Sequence, residues 1–405
     1  MTSPADPAPR PRPLGAGFAL VATALIAINL RPVASSVGPV LEEVTEGLGM
    51  NTAVAGFVTA LPGLCFGLIG ALAVAFARKV GMTTGIVLGL VAVGVGLLAR
   101  AAIDNTVLFL LLTALALGGA AVGNVLVPAW IKRQPRDVRL MTIYSAGLTL
   151  GGAVAAALVA PISANTAQGW RAALGVWGLV ALVAVLPWAL IASRERRTPG
   201  GRGSPAATKA AGRIWHSPTA IALTVVFGIQ SMNAYIQFGW LPQIYRDAGL
   251  SAGYAGILMS LLTALTLIGA LMMPTVIARS PSLKGWMYAF GALLVIGNGG
   301  LLLAPATVPW LWAVILGTSG FAFPTAIALI TARTRDPHVT ARLSGFVQPT
   351  GYMLAAIGPF VVGVLYQATG TWTIVLILLM LSGVVLTLAG LRVSRHTWVD
   401  DKLAA

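Results

Sequence analysis

The chain has 405 residues, of which 57% are hydrophobic and only 9% charged, with a mean hydropathy of +0.88. A soluble domain carries about 25% charged residues, so the composition excludes one and points to an all-α integral membrane protein. The net charge of +15 raises the question of nucleic acid, which the placement of that charge answers below.

Residues 1–14, MTSPADPAPRPRPL, are polar and proline-rich, the composition of a disordered cytoplasmic N-terminus. The apolar segment behind them is too long for a signal-peptide h-region and lacks a clear small-residue cleavage site, so it should persist as a first span. Crossing about 30 Å of hydrocarbon takes about 20 apolar residues as helix, because a lone strand would leave its backbone unsatisfied. Twelve such stretches follow one another, near 15–40, 52–76, 82–100, 106–131, 141–163, 170–192, 218–242, 253–278, 285–304, 309–332, 343–367 and 372–392.

Arg31 lies two-thirds of the way along the first stretch, and by position it is the only charged residue that cannot be placed at a membrane surface. An arginine inside a span costs roughly 2.5–3.5 kcal/mol on insertion scales and marks a functional position. Every Asp and Glu falls in a loop or tail, so no span offers it a partner, and the expected partner is a ligand. On an ideal helix Ala24, Ala27, Arg31, Ser35 and Gly38 share one small or polar face that should look into the protein. A planar guanidinium that stays charged suits a small anion with several acceptor atoms. Two roles stay open here. Arg31 anchors a substrate, or it ties down carbonyls freed near Ile28 by Pro32, or reaches Glu42 or Glu43 about 16 Å further along an ideal helix.

The remaining spans add polar groups without charge. Cys65, the single cysteine, sits in the second, and His216, His338 and His396 fall at cytoplasmic ends, so no disulfide, metal site or cofactor is expected. Asn29 and Asn124 add donors from the first half, and Tyr144 to Thr149 mark the fifth span. In the seventh, Gln230, Asn233, Gln237 and Trp240 form a polar stripe, with Ser231 and Tyr235 nearby, while Gln348 and Tyr352 pair at i, i+4 in the eleventh. These are candidate cavity-lining residues, the alternative being helix–helix glue worth about 0.6 kcal/mol each. Most of the 47 glycines should be packing positions between close helices.

Charge placement answers the nucleic-acid question. With cytoplasmic termini, inner loops and tails hold 22 of the 26 Lys and Arg, the outer loops hold Arg100, Arg171 and Arg246, and Arg31 is the remainder. That is the positive-inside pattern. It implies contact with anionic membrane lipid rather than nucleic acid.

A polar stretch, 193–217, rich in Arg, Gly, Pro and Ser, divides the chain as a cytoplasmic linker. It separates an N-terminal six-helix half (15–192) from a C-terminal one (218–392), which a cytoplasmic tail (393–405) follows. The halves repeat. Gly49 to Gly56 (GMNTAVAG) recurs as Gly249 to Gly256 (GLSAGYAG), LIGAL recurs at Leu68 and Leu267, Gly151 matches Gly351, and Gly169-Trp170 matches Gly370-Thr371-Trp372. Duplicated six-helix halves with a midplane site are the architecture of the major facilitator fold.

The segment Asn29-Leu30-Arg31-Pro32, continuing Ser36-Val37-Gly38-Pro39-Val40-Leu41, resembles the first-helix signature of the cyanate permease and 2-nitroimidazole transporter family of that superfamily. Leu61-Pro62, Pro128, Trp240-Leu241-Pro242, Gln348, Gly351-Tyr352 and Gly358-Pro359 agree with it. The resemblance implies a secondary transporter of the bacterial cytoplasmic membrane, with Arg31 as anchor for a small anionic or electron-rich, cyanate-like substrate. The alternative it permits is an exporter of 2-nitroimidazole-like or other small drug-like compounds. The superfamily's usual Asp-Arg pair after the second span is replaced by Ala77-Arg78-Lys79-Val80-Gly81. Gating would then fall to Arg78 or Lys79, to Asp137 and Asp336 in the loops after spans four and ten, or to Glu42 and Glu43 at the outer rim. With no Asp, Glu or His in a span, facilitated transport or exchange is expected, with at most weak proton coupling, in a monomer. No clustered catalytic constellation suggests an enzyme.

Overall fold

The computed structural model describes residues 16–131, 133–134, 138–196, 214–395 and 397–403. Its elements are helices: α1 (Ala16–Leu30), α2 (Pro32–Ser35), α3 (Leu41–Gly47), α4 (Thr52–Val80), α5 (Met82–Ala101), α6 (Thr106–Ile131), α7 (Val138–Asn165), α8 (Trp170–Arg196), α9 (Pro218–Asp247), α10 (Ala252–Arg279), α11 (Lys284–Leu303), α12 (Pro309–Ser319), α13 (Ala322–Ala332), α14 (Pro337–Thr369), α15 (Thr373–Val393) and α16 (Asp400–Leu403). Among the described residues they make twelve spans long and apolar enough to cross a membrane, the first from α1 and α2 and the tenth from α12 and α13.

Several helices outrun the apolar windows. Caps, rather than the end of hydrophobicity, stop them. α4 begins where the Asn51 side chain accepts from the Val54 N–H at 2.9 Å and ends at Gly81, whose φ of 93° an L-residue rarely adopts. The sequence repeat has the same cause. Gly49 and Gly249 both hold positive φ (61° and 90°), and Asn51 and Ser251 both cap the helix that follows. Gly169 and Gly370 repeat the device before α8 and α15.

Small residues let the halves meet. A Cβ at Gly63 would lie 2.9 Å from the Ala356 Cα, and one at Gly56 would lie 3.0 Å from the Gly363 Cα, so α4 and α14 pack backbone to backbone. α7 and α10 meet likewise, where a Cβ at Gly256 would come 2.6 Å from the Ala156 carbonyl oxygen. Within each half Gly151 presses on Ile28 of α1, and the equivalent Gly351 presses on Phe227 of α9.

The first span, expected over 15–40 with carbonyls freed near Ile28 by Pro32, is broken there. α1 stops at Leu30, Arg31 turns the chain, α2 restarts at Pro32, and a 3₁₀ turn (Gly38–Val40) leads to α3. Pro32 has no N–H to donate to Ile28, whose carbonyl lies instead against Gly151. The tenth span breaks at Gly320 and Phe321, between α12 and α13. Both breaks flank the same cavity.

Two buried cations correct the expectation that Arg31 is alone. Arg100, placed by sequence in an outer loop, lies in the last turn of α5 with no exposed surface. Arg333 is 5% exposed, and its Nε and Nη2 donate to the carbonyls of Val393 (3.1 Å) and Ser394 (3.4 Å). Helix ends read as surface in sequence, whereas here neighbouring helices cover them. The C-terminal tail also docks: the Val399 N–H donates to the Arg333 carbonyl at 3.0 Å, and Arg335 pairs with Asp401.

Candidate substrate cavity

At the first break Arg31 faces a cavity of about 80 Å³. That is room for several waters at about 10–15 Å³ each. Both halves build it: Arg31 at the turn between α1 and α2, Ser35 of α2, and Leu148, Thr149 and Gly152 of α7, against Gln230, Ser231, Tyr235, Gln237 and Phe238 of α9. Leu262, Thr263 and Thr266 of α10, Gly320 and Phe323 at the second break, and Tyr352 of α14 complete the wall.

Among the described residues, no Asp, Glu or His lines this space, and the Arg31 guanidinium has neither hydrogen bond nor ion pair. The side-chain oxygens of Gln230 and Ser231 are buried and also lack a partner. A buried unpartnered polar group costs about 1–3 kcal/mol, and two such oxygens, on Gln230 and Ser231, belong to residues of the cavity wall beside the half-buried Arg31. An aromatic cluster holds the wall: Tyr235 lies 6.5 Å from Phe66 in a parallel stack, and Tyr352 packs edge-on against Phe227 at 4.9 Å.

The polar stripe of the seventh span divides. Gln230 and Gln237 line the cavity, but Asn233 donates to Ser382 Oγ (3.0 Å) and the Ile229 carbonyl (2.9 Å), and Trp240 donates to the Pro359 carbonyl (3.1 Å). At ~100° per residue the two glutamines lie within ~20° of each other, while Asn233 and Trp240 sit ~60–80° round the helix. Asn29 is likewise turned away, donating to the carbonyls of Leu25 (2.7 Å) and Val180 (3.3 Å). Asn124 accepts from the Tyr144 hydroxyl at 3.2 Å, one layer behind the cavity, and Gln348 donates to Ser344 Oγ at 2.7 Å.

Thr263, Thr266, Gly152 and Gly320 line the cavity without having been expected to, whereas Ser35 fell on the inward face of the first span and Thr149 ended the stretch marked in the fifth. The hydroxyls of Ser35, Thr149, Thr263 and Thr266 bond back along their own helices, as Ser35 does to the Arg31 carbonyl (3.2 Å) and Thr263 to the Met259 carbonyl (2.8 Å), a pattern indistinguishable in sequence from packing. The i, i+3 pair Thr263 and Thr266 was the one weak signal available.

Of the rim groups, Glu42 and Glu43 do not reach Arg31. Arg246 of α9 holds both, Glu42 at 2.7 Å and both oxygens of Glu43 at 3.0 Å. Gln243 bridges Glu42 (3.4 Å) to Asp247 (2.8 Å), and Asp247 accepts from Tyr366 and Trp372, each at 2.7 Å. This network ties the first half to the second at the rim distant from the chain termini. At the other rim Arg78 is exposed, the Asp336 N–H donates to Asp400 at 3.0 Å, and Asp137 lies outside the described residues.

The profile described as Major Facilitator Superfamily matches residues 18–359. The chain is 32% identical to an uncharacterized transporter, YycB, of Bacillus subtilis over 97% of both chains. It is 31% identical to the cyanate transport protein CynX of Escherichia coli over 87% of this chain and 91% of that one. With the 2-nitroimidazole transporter of Escherichia coli it shares 32% identity over 92% and 94%. Among solved structures, a bacterial homologue of the human lysosomal transporter Spinster superposes with a TM-score of 0.78 at 16% identity, covering 95% of this chain and 98% of that one.

Proposed function

The chain belongs to the major facilitator superfamily and is a membrane transporter of small solutes, and from that premise we propose that its cargo is a small anion or electron-rich solute of cyanate-like character, anchored by Arg31. The observation that carries the reading is the unpartnered Arg31 guanidinium at a cavity whose described lining holds no acid. Gln230, Gln237 and Ser231 add neutral donors and acceptors that orient a ligand without neutralising its charge.

Alternating access follows from the placement of the cavity between the halves. In this conformation the Arg246 network closes the distal rim, so release toward the other side requires that network to part. The positive-inside charge pattern supports cytoplasmic termini, a closed outer rim and a bacterial inner-membrane setting in contact with anionic lipid. We take a monomer as the working unit, since both halves that alternating access needs lie in one chain. Arginine does not titrate in a transport cycle, so transport is facilitated or exchanging rather than strongly proton-driven. Proton-driven accumulation abolished by neutralising one loop acid would overturn that part.

One observation favours a second reading. Tyr235, Phe238, Phe323 and Tyr352 give the cavity flat aromatic walls, which suit a planar nitroaromatic such as the substrate of the 2-nitroimidazole relative, and export of such a compound is the alternative. Uptake and efflux of cyanate and of 2-nitroimidazole, compared in cells carrying the unaltered chain, Arg31→Lys and Arg31→Gln, separate the two. Loss of cyanate flux in both variants supports the first reading. Nitroimidazole efflux that survives in Arg31→Gln while cyanate never moves supports the second and removes Arg31 as anchor.

A further inference from the structure

Arg100 differs from the buried Arg333 and the partly exposed Arg171 in what its donors do. Arg333 spends its donors on carbonyls, and Arg171 donates to the carbonyls of Ala101 (3.3 Å) and Ile103 (3.0 Å) while also holding Asp104. Arg100 has no such use. Its Nη1 reaches Thr113 Oγ1 at a long 3.4 Å, its guanidinium carbon lies 5.8 Å from the centre of the Phe109 ring, and its Nε and Nη2 are buried without a partner. The acid nearest in sequence, Asp104, is taken by Arg171. A structural arginine in a span is expected to satisfy itself on carbonyls or an acid. This one stands with two donors free.

Thr113 connects it to the space between the halves. The residue lines a second void of about 10 Å³, with Val37, Val58, Thr59, Tyr235 and Phe238 among the other walls. That is about the room of one water. Tyr235 and Phe238 also line the central cavity, so they partition the two spaces. Arg31 thus faces the central cavity, the aromatic partition separates that cavity from the small void, and Arg100 stands behind Thr113 in the wall of the void. The void lies where α9 of the second half meets α2, α4 and α6 of the first. It is pressed shut there: a Cβ at Gly38 would overlap the Phe238 carbonyl, and one at Gly239 would overlap Thr59. Parting the halves at the distal rim, once the Arg246 network separates, widens this contact.

We infer that Arg100 and Thr113 form a second anion station on the distal half of the path, which holds a small monovalent anion when that half opens. The inference rests on the proposed transport path between the halves but not on Arg31 being its anchor. The central cavity attracts the anion by one cation, and Arg100 supplies a second beyond the partition, so the anion moves between two positive sites rather than from one site into an apolar passage.

The test uses the full chain in proteoliposomes with Cys65→Ala, which removes the single cysteine, and Val58→Cys as a reporter in the void. Labelling rates are measured with an anionic sulfonatoethyl and a cationic trimethylammonioethyl methanethiosulfonate, each divided by its rate with a free thiol. The anionic reagent is expected to react roughly tenfold or more faster, the scale of electrostatic focusing in a charged cleft. The preference should persist in Arg100→Lys, disappear in Arg100→Gln and survive Arg31→Gln. Added sodium nitrate should slow the anionic reagent alone, a readout that needs no change at Arg100. Failure of both reagents to label, a preference untouched by Arg100→Gln, or no effect of nitrate would overturn the station. A preference lost in Arg31→Gln but kept in Arg100→Gln would overturn it while leaving the central site standing.

Discussion

Arg246 grips both carboxylate oxygens of Glu43 at 3.0 Å, and in doing so joins α9 of the second half to α3, the short helix that follows the broken first span. The Arg246 and Glu43 side chains are 19% and 33% exposed. An exposed pair is worth about 0.2–1 kcal/mol, more when bidentate and networked. Coulomb attraction at this rim is therefore enough to bias a two-state equilibrium without locking it.

Glu43→Gln should shift the halves toward distal opening by a factor of roughly 2–5, equivalent to about 0.4–1 kcal/mol. Inter-label distances between α3 and the end of α9, measured by pulsed electron paramagnetic resonance, read the shift directly. An unchanged distance distribution in Glu43→Gln and Arg246→Gln would mean that the network is surface decoration.

Gly152 tests whether the cavity is the working space. A Cβ there would sit 3.3 Å from Arg31 Cβ and 3.4 Å from Thr263 Cγ2. Gly152→Ala should be tolerated with a small adjustment, whereas Gly152→Leu should fill the cavity and stop transport, with an overpacking cost of about 1–3 kcal/mol. Transport assays and melting temperatures on the two variants check this. Full transport by Gly152→Leu would move the path elsewhere.

The two kinds of amide on α9 should separate cleanly. Gln230→Leu removes a cavity group and should weaken ligand binding by about tenfold with little loss of stability. Asn233→Leu breaks the bond to Ser382 and should lower stability by about 0.6–2 kcal/mol while leaving affinity near its original value. Ligand-binding isotherms and denaturation curves on both variants decide, and the opposite pattern would reverse the assignment of the stripe.

Much of this was legible in the sequence because the backbone demanded particular residues. Gly49, Gly249, Gly169 and Gly370 sit at positive φ, Asn51 and Ser251 cap helices, and Gly56, Gly63 and Gly256 lie where helices touch, so the duplication is visible as repeated letters. Arg31 was visible because charge in a span is costly. Arg100 was not, since a charge in the last turn of a span looks like a loop charge until neighbouring helices cover it. Asn233 and Trp240 were misdirected by a stripe too wide to be one face. Thr263 and Thr266 gave only a weak signal, because a span threonine bonded to its own helix has the same sequence signature whether it packs or lines a cavity.

The account turns on Arg31, and thermal unfolding of the purified chain with a panel of small anions, cyanate and nitrate among them, tests it most directly. A ligand at 100 times its Kd stabilises its target by about 2.7 kcal/mol, which raises the melting temperature by a few degrees. At least one anion should produce that rise in the unaltered chain and lose it in Arg31→Gln. If every anion stabilises the two proteins equally, or none stabilises the unaltered chain, Arg31 is not the anchor.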